Sequence, residues 1–233
     1  MDRYNILIVD DDNEIRELIE IYLKNEGYNV LTASDGNECL DIMDMTHVHL
    51  VVLDIIMPGI DGMEVCARIR RKANIPVIML SARSQDMDKI LGLGIGADDY
   101  MTKPFNPMEL IARIKSQLRR YFHLNEAPTY TPGENCIKIK GLSINKYNHS
   151  VSLYGKNIGL TPTEYEILLL LAQNPGKVFS SEEIFERVWK EKYLESNNTV
   201  MVHMWRLREK IEENPKEPVL IETVWGVGYK IEK

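Results

Sequence analysis

The chain has 233 residues with 44% hydrophobic and 27% charged positions, enough apolar material for one large domain or two small ones. Its formal net charge of −7 excludes a generally basic nucleic-acid coat, and its longest apolar runs, such as Ile167–Ala172, fall far short of the roughly 20 residues that cross a bilayer. Charge is uneven: residues 1–123 hold 20 acids and 14 bases, residues 124–233 hold 15 and 14, and no Asp follows Asp99, which predicts two domains with different tasks.

Ile6–Val9, His49–Leu53 and Ile75–Leu80 are compact apolar runs of the kind found in strands covered on both faces. Tyr28–Thr32 and Tyr100–Thr102 are weaker strand candidates. Ile15, Leu18, Ile19 and Tyr22 recur at helical spacing, and further helices are expected over 36–45, 61–72, 86–94 and 107–120. Five alternations predict an α/β domain over 1–121, a parallel five-stranded sheet with helices on both faces, for which the flavodoxin-like order 2-1-3-4-5 is the expectation.

Pro128, Pro132 and Gly133 in a polar, aperiodic stretch predict a linker over 122–134. The second domain, 135–233, opens with short β-like pieces over 136–159. Thr161-Pro-Thr-Glu164 is a capping box opening a helix to about Gln173, and Ser180–Glu183 opens another with Ile184, Phe185, Val188 and Trp189 as its buried stripe. A third helix is expected from Asn198 to Glu213, and Ile221–Ile231 reads as a hairpin. Cys39, Cys66 and Cys136 are scattered; with no secretory leader in view, they fit a reduced, cytoplasmic protein without membrane attachment.

Four of the five predicted strands end in residues able to do chemistry: Asp10-Asp11-Asp12, Asp54, Ser81 and Lys103. In the order 2-1-3-4-5 these four strands are neighbours, and ligands bind beyond their carboxyl ends at the point where strand order reverses. Converging carboxylates repel and call for a cation, and oxygen donors with waters suit Mg²⁺. Lys103 supplies fixed positive charge, Ser81 a hydroxyl, and an Asp can itself be the nucleophile that accepts a phosphoryl group. Asp12 reads as a helix cap.

These residues resemble the receiver domain of two-component response regulators, through Ile6–Asp12, Leu53-Asp54-Ile-Ile-Met-Pro58-Gly59, Met79-Leu-Ser81-Ala82 and Gly96-Ala-Asp-Asp-Tyr100-Met-Thr-Lys103-Pro104-Phe105. The resemblance implies that Asp54 accepts phosphate from a sensor histidine kinase, and that Asp10, Asp11, Asp54 and the Ile56 backbone carbonyl hold Mg²⁺. It implies that Ser81 and Tyr100 form a switch pair and that Lys103-Pro104 is cis. It further implies dimerisation on phosphorylation through Lys89, Asp98, Asp99, Glu109 and Arg113, with Lys89–Glu109 and Asp99–Arg113 as the expected pairs. A rival reading is a Mg²⁺-dependent phosphatase of the haloacid-dehalogenase type with Asp10 as nucleophile and Asp98-Asp99 as the acidic pair. It leaves Asp54 unexplained and lacks room for a cap domain.

On the third helix of the second half, Val200, Met204, Leu207 and Ile211 make one apolar arc, and Thr199, His203, Arg206 and Lys210 make the arc beside it, with Asn197 and Asn198 at the N-terminus. Arg206 can read guanine, Val202 can touch a thymine methyl, and the hairpin offers Thr223, Trp225, Tyr229 and Lys230 to double-stranded promoter DNA. Leu160–Leu168, Val202-His-Met-Trp-Arg206-Leu-Arg208 and Thr223–Tyr229 resemble the winged helix-turn-helix effector domain of the OmpR/PhoB family, which implies a transcription factor that engages RNA polymerase. Ser196–Val200 and Thr223–Lys233 resemble the VanR type, regulators of vancomycin (glycopeptide) resistance. A second half that binds a protein instead of DNA is the remaining alternative.

Overall fold

The computed structural model describes residues 4–82, 95–123, 136–147, 149–190 and 199–232. Two compact units, Met1–Arg119 and Arg120–Lys233, divide the chain. The predicted linker and the helix expected over 86–94 lie almost wholly outside the described residues.

In the first unit the strands are β1 (Asn5–Val9), β2 (Asn29–Ala33), β3 (Leu50–Asp54), β4 (Val77–Ser81) and β5 (Asp99–Thr102), and the helices are α1 (Asn13–Asn25), α2 (Gly36–Met45), α3 (Gly62–Lys72) and most of α4 (Pro107–His123), whose last residues pass the division at Arg119. The strands form one parallel sheet in the order β2-β1-β3-β4-β5, as expected. All five residues of β3 and of β4 are buried, which is why these stretches read as unbroken apolar runs instead of alternating ones. Asp12, Asp35 and Asp61 cap α1, α2 and α3 by accepting backbone N–H groups of the first turn. On α1 the buried stripe centres on Ile19 and Leu23, while Leu18 is exposed.

Gly62 is held where any side chain would collide: a Cβ there would lie 2.0 Å from the Asp54 carbonyl oxygen. Its N–H donates to the Ile55 carbonyl at 2.9 Å, so the start of α3 folds back directly onto the end of β3. That close approach fixes the loop carrying Asp54.

The second unit opens with an antiparallel sheet, β6 (Cys136–Ile139), β7 (Leu142–Asn145), β8 (Ser150–Leu153) and β9 (Lys156–Ile158), followed by α5 (Pro162–Ala172), α6 (Ser181–Trp189) and α7 (Thr199–Ile211). The β10–β11 hairpin (Ile221–Val224, Gly228–Ile231) closes it. Both predicted capping boxes are present, Thr161 with Glu164 and Ser180 with Glu183. The core gathers Ile144, Val151, Leu168, Phe179, Phe185, Trp189, Val200, Met204, Leu207 and Ile231, so the sheet, three helices and hairpin share one apolar centre. Phe179 pairs with Tyr229 through two backbone hydrogen bonds of 2.9 Å, tying the start of α6 to the hairpin. Gly228 permits this, because a Cβ there would lie 1.9 Å from the Phe179 carbonyl oxygen. Among the described residues no helix is long and apolar enough to cross a membrane.

Candidate functional site

The carboxyl ends of β1 and β3 bring Asp10, Asp11 and Asp54 together, with one carboxylate oxygen of each within 4.8 Å of the others. Asp10 and Asp54 are buried, whereas Asp11 faces solvent. Lys103, just beyond β5, bridges the two buried acids: its Nζ donates to Asp10 Oδ2 at 2.7 Å and to Asp54 Oδ2 at 2.8 Å. Asp10 also accepts the Asp12 N–H through Oδ1 at 3.1 Å, and its carbonyl accepts from the Arg16 guanidinium at 2.5 Å.

Among the described residues Asp54 Oδ1 is buried without a hydrogen-bond partner. An oxygen left so inside a protein is costly unless something arrives to use it. Burial raises the Asp54 pKa and neighbouring Asp10 adds to this, while the Lys103 hydrogen bond opposes both. Burial works against the Lys103 charge, but its hydrogen bonds to Asp10 and Asp54 outweigh this and hold its pKa above the ordinary lysine value. Hard oxygen donors, one open to water, together with an unpartnered carboxylate oxygen, suit a hard divalent cation.

Ser81 ends β4, fully buried, and its carbonyl accepts the Lys103 N–H at 2.6 Å. Tyr100 on β5 pairs in register with Met79 and is buried. The Lys103–Pro104 peptide is cis. The Ile56 side chain is largely exposed on the loop after β3.

The expected dimer residues are placed differently from one another. Asp98 is fully buried and ion-paired to Arg70 at 2.6 Å, and it also accepts the Val77 N–H at 3.0 Å. This corrects its assignment to a dimer surface: the side chain is spent inside the domain, where Arg70 also holds the Gly96 and Ile75 carbonyls at 2.7 and 2.6 Å. Asp99 is likewise buried, and its carboxylate takes the Arg113 guanidinium with both oxygens, at 3.0 and 2.9 Å. Arg113 also donates to Glu109 at 2.9 Å, so these ion pairs are satisfied within one chain. Lys89 lies outside the described residues.

On α7 the expected arc is coherent but not open: Thr199, Val202, His203 and Arg206 are buried, and Met201 and Trp205 are the exposed apolar residues. Arg206 and Lys210 both approach the Glu164 carboxylate, at 3.2 and 2.6 Å. Asn197 and Asn198 fall outside the described residues. In the hairpin, Trp225 is 90% exposed at the tip beside Val227. Tyr229 is instead a core residue, corrected from its place among surface contacts: it packs with Phe179 and lies under the Arg208 guanidinium at 5.7 Å. Thr223 accepts from Arg208 at 2.8 Å, and Arg208 also grips the Ile221 carbonyl at 2.7 Å. The clamping roles of Arg208 and Arg70 carry no sequence signal, because a clamp onto backbone carbonyls leaves no residue pattern.

Residues 6–115 match the response regulator receiver domain family, and residues 155–231 match the C-terminal domain of transcriptional regulatory proteins. The chain belongs to the two-component response regulators. It is 50% identical over 228 residues to the regulatory protein VanRc of Enterococcus gallinarum, covering 98% of each chain, and 49% identical over 229 residues to VanR of Enterococcus faecium, again 98% of each. Among solved structures, the response regulator DrrB of Thermotoga maritima, an OmpR/PhoB homologue, matches at 35% identity and a TM-score of 0.52 over the full length of both chains. The first unit of this response regulator is thus its receiver domain and the second its winged-helix DNA-binding domain. The phosphatase reading is set aside: Asp98 and Asp99 are held by Arg70 and Arg113, whereas the acids that meet are Asp10, Asp11 and Asp54.

Proposed function

We propose that Asp54 is the phosphoacceptor of this response regulator and that phosphoryl transfer from a cognate sensor histidine kinase controls promoter binding by the second domain. The observation that carries this is the unpartnered, buried Asp54 Oδ1 beside Lys103 and the acids of β1. That oxygen attacks phosphorus, the phosphorus–nitrogen bond of the donor phosphohistidine breaks, and the leaving imidazole takes up a proton. Asp10, Asp11, Asp54 and the Ile56 carbonyl are the residues to hold Mg²⁺, which neutralises charge on the transferring group when bound. Lys103 already donates to Asp10 Oδ2 and Asp54 Oδ2. Ser81 and Tyr100 then form the switch, the hydroxyl hydrogen-bonding the phosphoryl oxygens and the ring filling the space it leaves.

The domain limits that follow are 1–121, 122–134 and 135–233, with dimerisation through the Glu109–Arg113 side of the receiver. Lys210, with Asn198 at the helix start, meets the major groove, Thr199, Val202, His203 and Arg206 join it only when the buried face of α7 is uncovered, and Trp225 at the hairpin tip reaches the minor groove or backbone. Likeness to VanRc and VanR supports genes of glycopeptide resistance or the cell envelope as targets, reached with RNA polymerase in the cytoplasm.

Intact-protein mass spectrometry after treatment with acetyl phosphate and Mg²⁺ tests the acceptor. One added phosphoryl group is expected, localised to Asp54, absent from Asp54→Asn and lost when Mg²⁺ is chelated. A gel shift run with both proteins tests the output: phosphorylation should tighten promoter binding only where Asp54 is present. A phosphoryl group elsewhere would reject the acceptor, and unchanged DNA binding would reject the control.

A further inference from the structure

The core face of α7 carries Val200, Met204, Leu207 and Ile211, all buried. Met201, Trp205 and Glu209 follow one another at spacings of four and make a stripe away from that core, exposed at all three positions. Met201 is 54% exposed and Trp205 44%. Single exposed apolar side chains are ordinary, but two large ones one turn apart make a continuous patch, and neither belongs to the core of the domain. Trp205 Nε1 donates to Glu209 at 3.0 Å, which occupies the only polar atom of the indole and leaves the rest of the ring apolar. From Trp205 the patch runs into a groove against the hairpin, lined also by Arg208, Lys216, Thr223 and Trp225. The patch is thus continuous with the hairpin tip, and the exposed ammonium of Lys216 suits a phosphate backbone passing beside it.

We propose that Met201 and Trp205 are specificity-determining residues of this regulator and read the C5-methyl groups of thymine in the major groove. The inference rests on the reading of α7 as the DNA-reading helix and adds the base edge that it selects. Of the groups that base pairs present in the major groove, the thymine methyl is the apolar one, and the others donate or accept hydrogen bonds. Val202, the other apolar side chain beside this stripe, is buried. The stripe itself holds no cation, and the cations of α7 already have partners inside the domain, Arg206 and Lys210 at Glu164 and Arg208 at the Ile221 carbonyl. With 15 acids against 14 bases, residues 124–233 supply little general attraction for phosphate, so discrimination falls to contacts that bury apolar surface. Glu209 holds the indole in one direction, so less rotamer freedom is lost when the ring meets a methyl group.

The test uses the full chain after treatment with acetyl phosphate and Mg²⁺, and a duplex recovered from a randomised pool by repeated selection with that protein. Each thymine of the duplex is replaced in turn by deoxyuridine, which removes the methyl group and keeps the hydrogen-bonding edge. Affinities are measured by fluorescence anisotropy. At the positions under α7 the loss should be about fourfold, the cost of one buried methyl group. Met201→Ala and Trp205→Ala should bind the thymine duplex more weakly and should each abolish the deoxyuridine penalty at its own position. Trp205→Phe keeps an apolar ring and should retain part of that penalty. Circular dichroism checks that the variants fold, and Met201→Ala decides the matter if Trp205→Ala does not. A flat deoxyuridine series under tight binding would overturn the methyl reading while leaving DNA binding intact. Penalties unchanged in both variants would overturn it by assigning the methyl contacts to other side chains, Val202 first among them. Variants that bind the duplex as the unsubstituted chain does would overturn it in favour of a protein partner for the patch. Failure of the unsubstituted chain to recover any duplex would overturn the DNA reading and this role with it.

Discussion

Lys103 Nζ stands 2.8 Å from Asp54 Oδ2, and the same ammonium reaches Asp10 Oδ2 at 2.7 Å. Two buried carboxylates are thereby held side by side by one cation that arrives from the far end of the sheet. In Lys103→Met that cation is gone, while the burial and the Asp10 charge that raise the Asp54 pKa remain. Loss of one fixed cation beside the carboxylate where charge develops during transfer costs roughly 10²-fold in rate. Phosphoryl incorporation from acetyl phosphate at pH 7 should slow by about that factor, followed by mass spectrometry over time. A rate within about twofold of the unsubstituted chain would place the function of Lys103 elsewhere.

Asp54 carries a second consequence. Its folded-state pKa is raised, chiefly by burial, above its unfolded value. A raised carboxyl binds its proton more tightly in the native state, so its contribution to stability is fully present below the unfolded pKa and is lost as pH rises through the folded one. At neutral pH the ionised Asp54 is therefore a burden on the receiver. Asp54→Asn should melt a few degrees higher than the parent at pH 7 in the presence of a chelator, and the gap should close below about pH 4. Thermal melts over a pH series decide this. A gap that widens on acidification would mean that Lys103 outweighs burial.

Much of this was legible in the chain. Runs such as Ile6–Val9 and Ile75–Leu80 disclose a covered parallel sheet because both faces of the strands within them are buried, and the polar residues that follow them lie where such sheets bind ligands. Thr161 and Ser180 marked helix starts because a cap is a local device readable from four residues. Asp98 and Tyr229 were misplaced for the opposite reason. Their surroundings are set by Arg70 and Phe179, partners far along the chain, so residue type alone suggested a surface acid and a surface aromatic. Glu164 reads as a cap in the sequence alone, because its Arg206 and Lys210 partners arrive only when α7 packs across α5.

The hairpin separates contact from support. Trp225 is 90% exposed, so Trp225→Ala should leave stability within about 0.5 kcal/mol. Tyr229 is 9% exposed within the core, and an aromatic-to-Ala change of that kind costs about 3–5 kcal/mol. Urea denaturation of the two variants should show this contrast, and gel shifts should show the inverse one. Trp225→Ala should bind promoter DNA more weakly while fully folded. Tyr229→Ala should lose binding only in step with the unfolded fraction. Equal destabilisation by both changes would mean that the tip of the hairpin is a packed element.

Arg70 and Asp98 supply the sharpest stability test in the receiver. The pair is 2.6 Å apart with Asp98 fully buried, and removing one partner strands a charge in the interior, at about 3–5 kcal/mol. Asp98→Ala should lower the receiver melting temperature accordingly, and it also leaves the Val77 N–H without its carboxylate acceptor. An apolar pair, Arg70→Met with Asp98→Val, removes both charges and should recover part of that loss. Recovery should stay incomplete, because Arg70 also serves the Gly96 and Ile75 carbonyls, which Met cannot. Calorimetry of Arg70→Met, Asp98→Val and the double variant measures the coupling directly. Additive losses would show that the ion pair contributes nothing beyond the backbone contacts of each side chain. A strong positive coupling would establish Asp98 as the internal anchor that holds the start of β5 against Val77 at the start of β4.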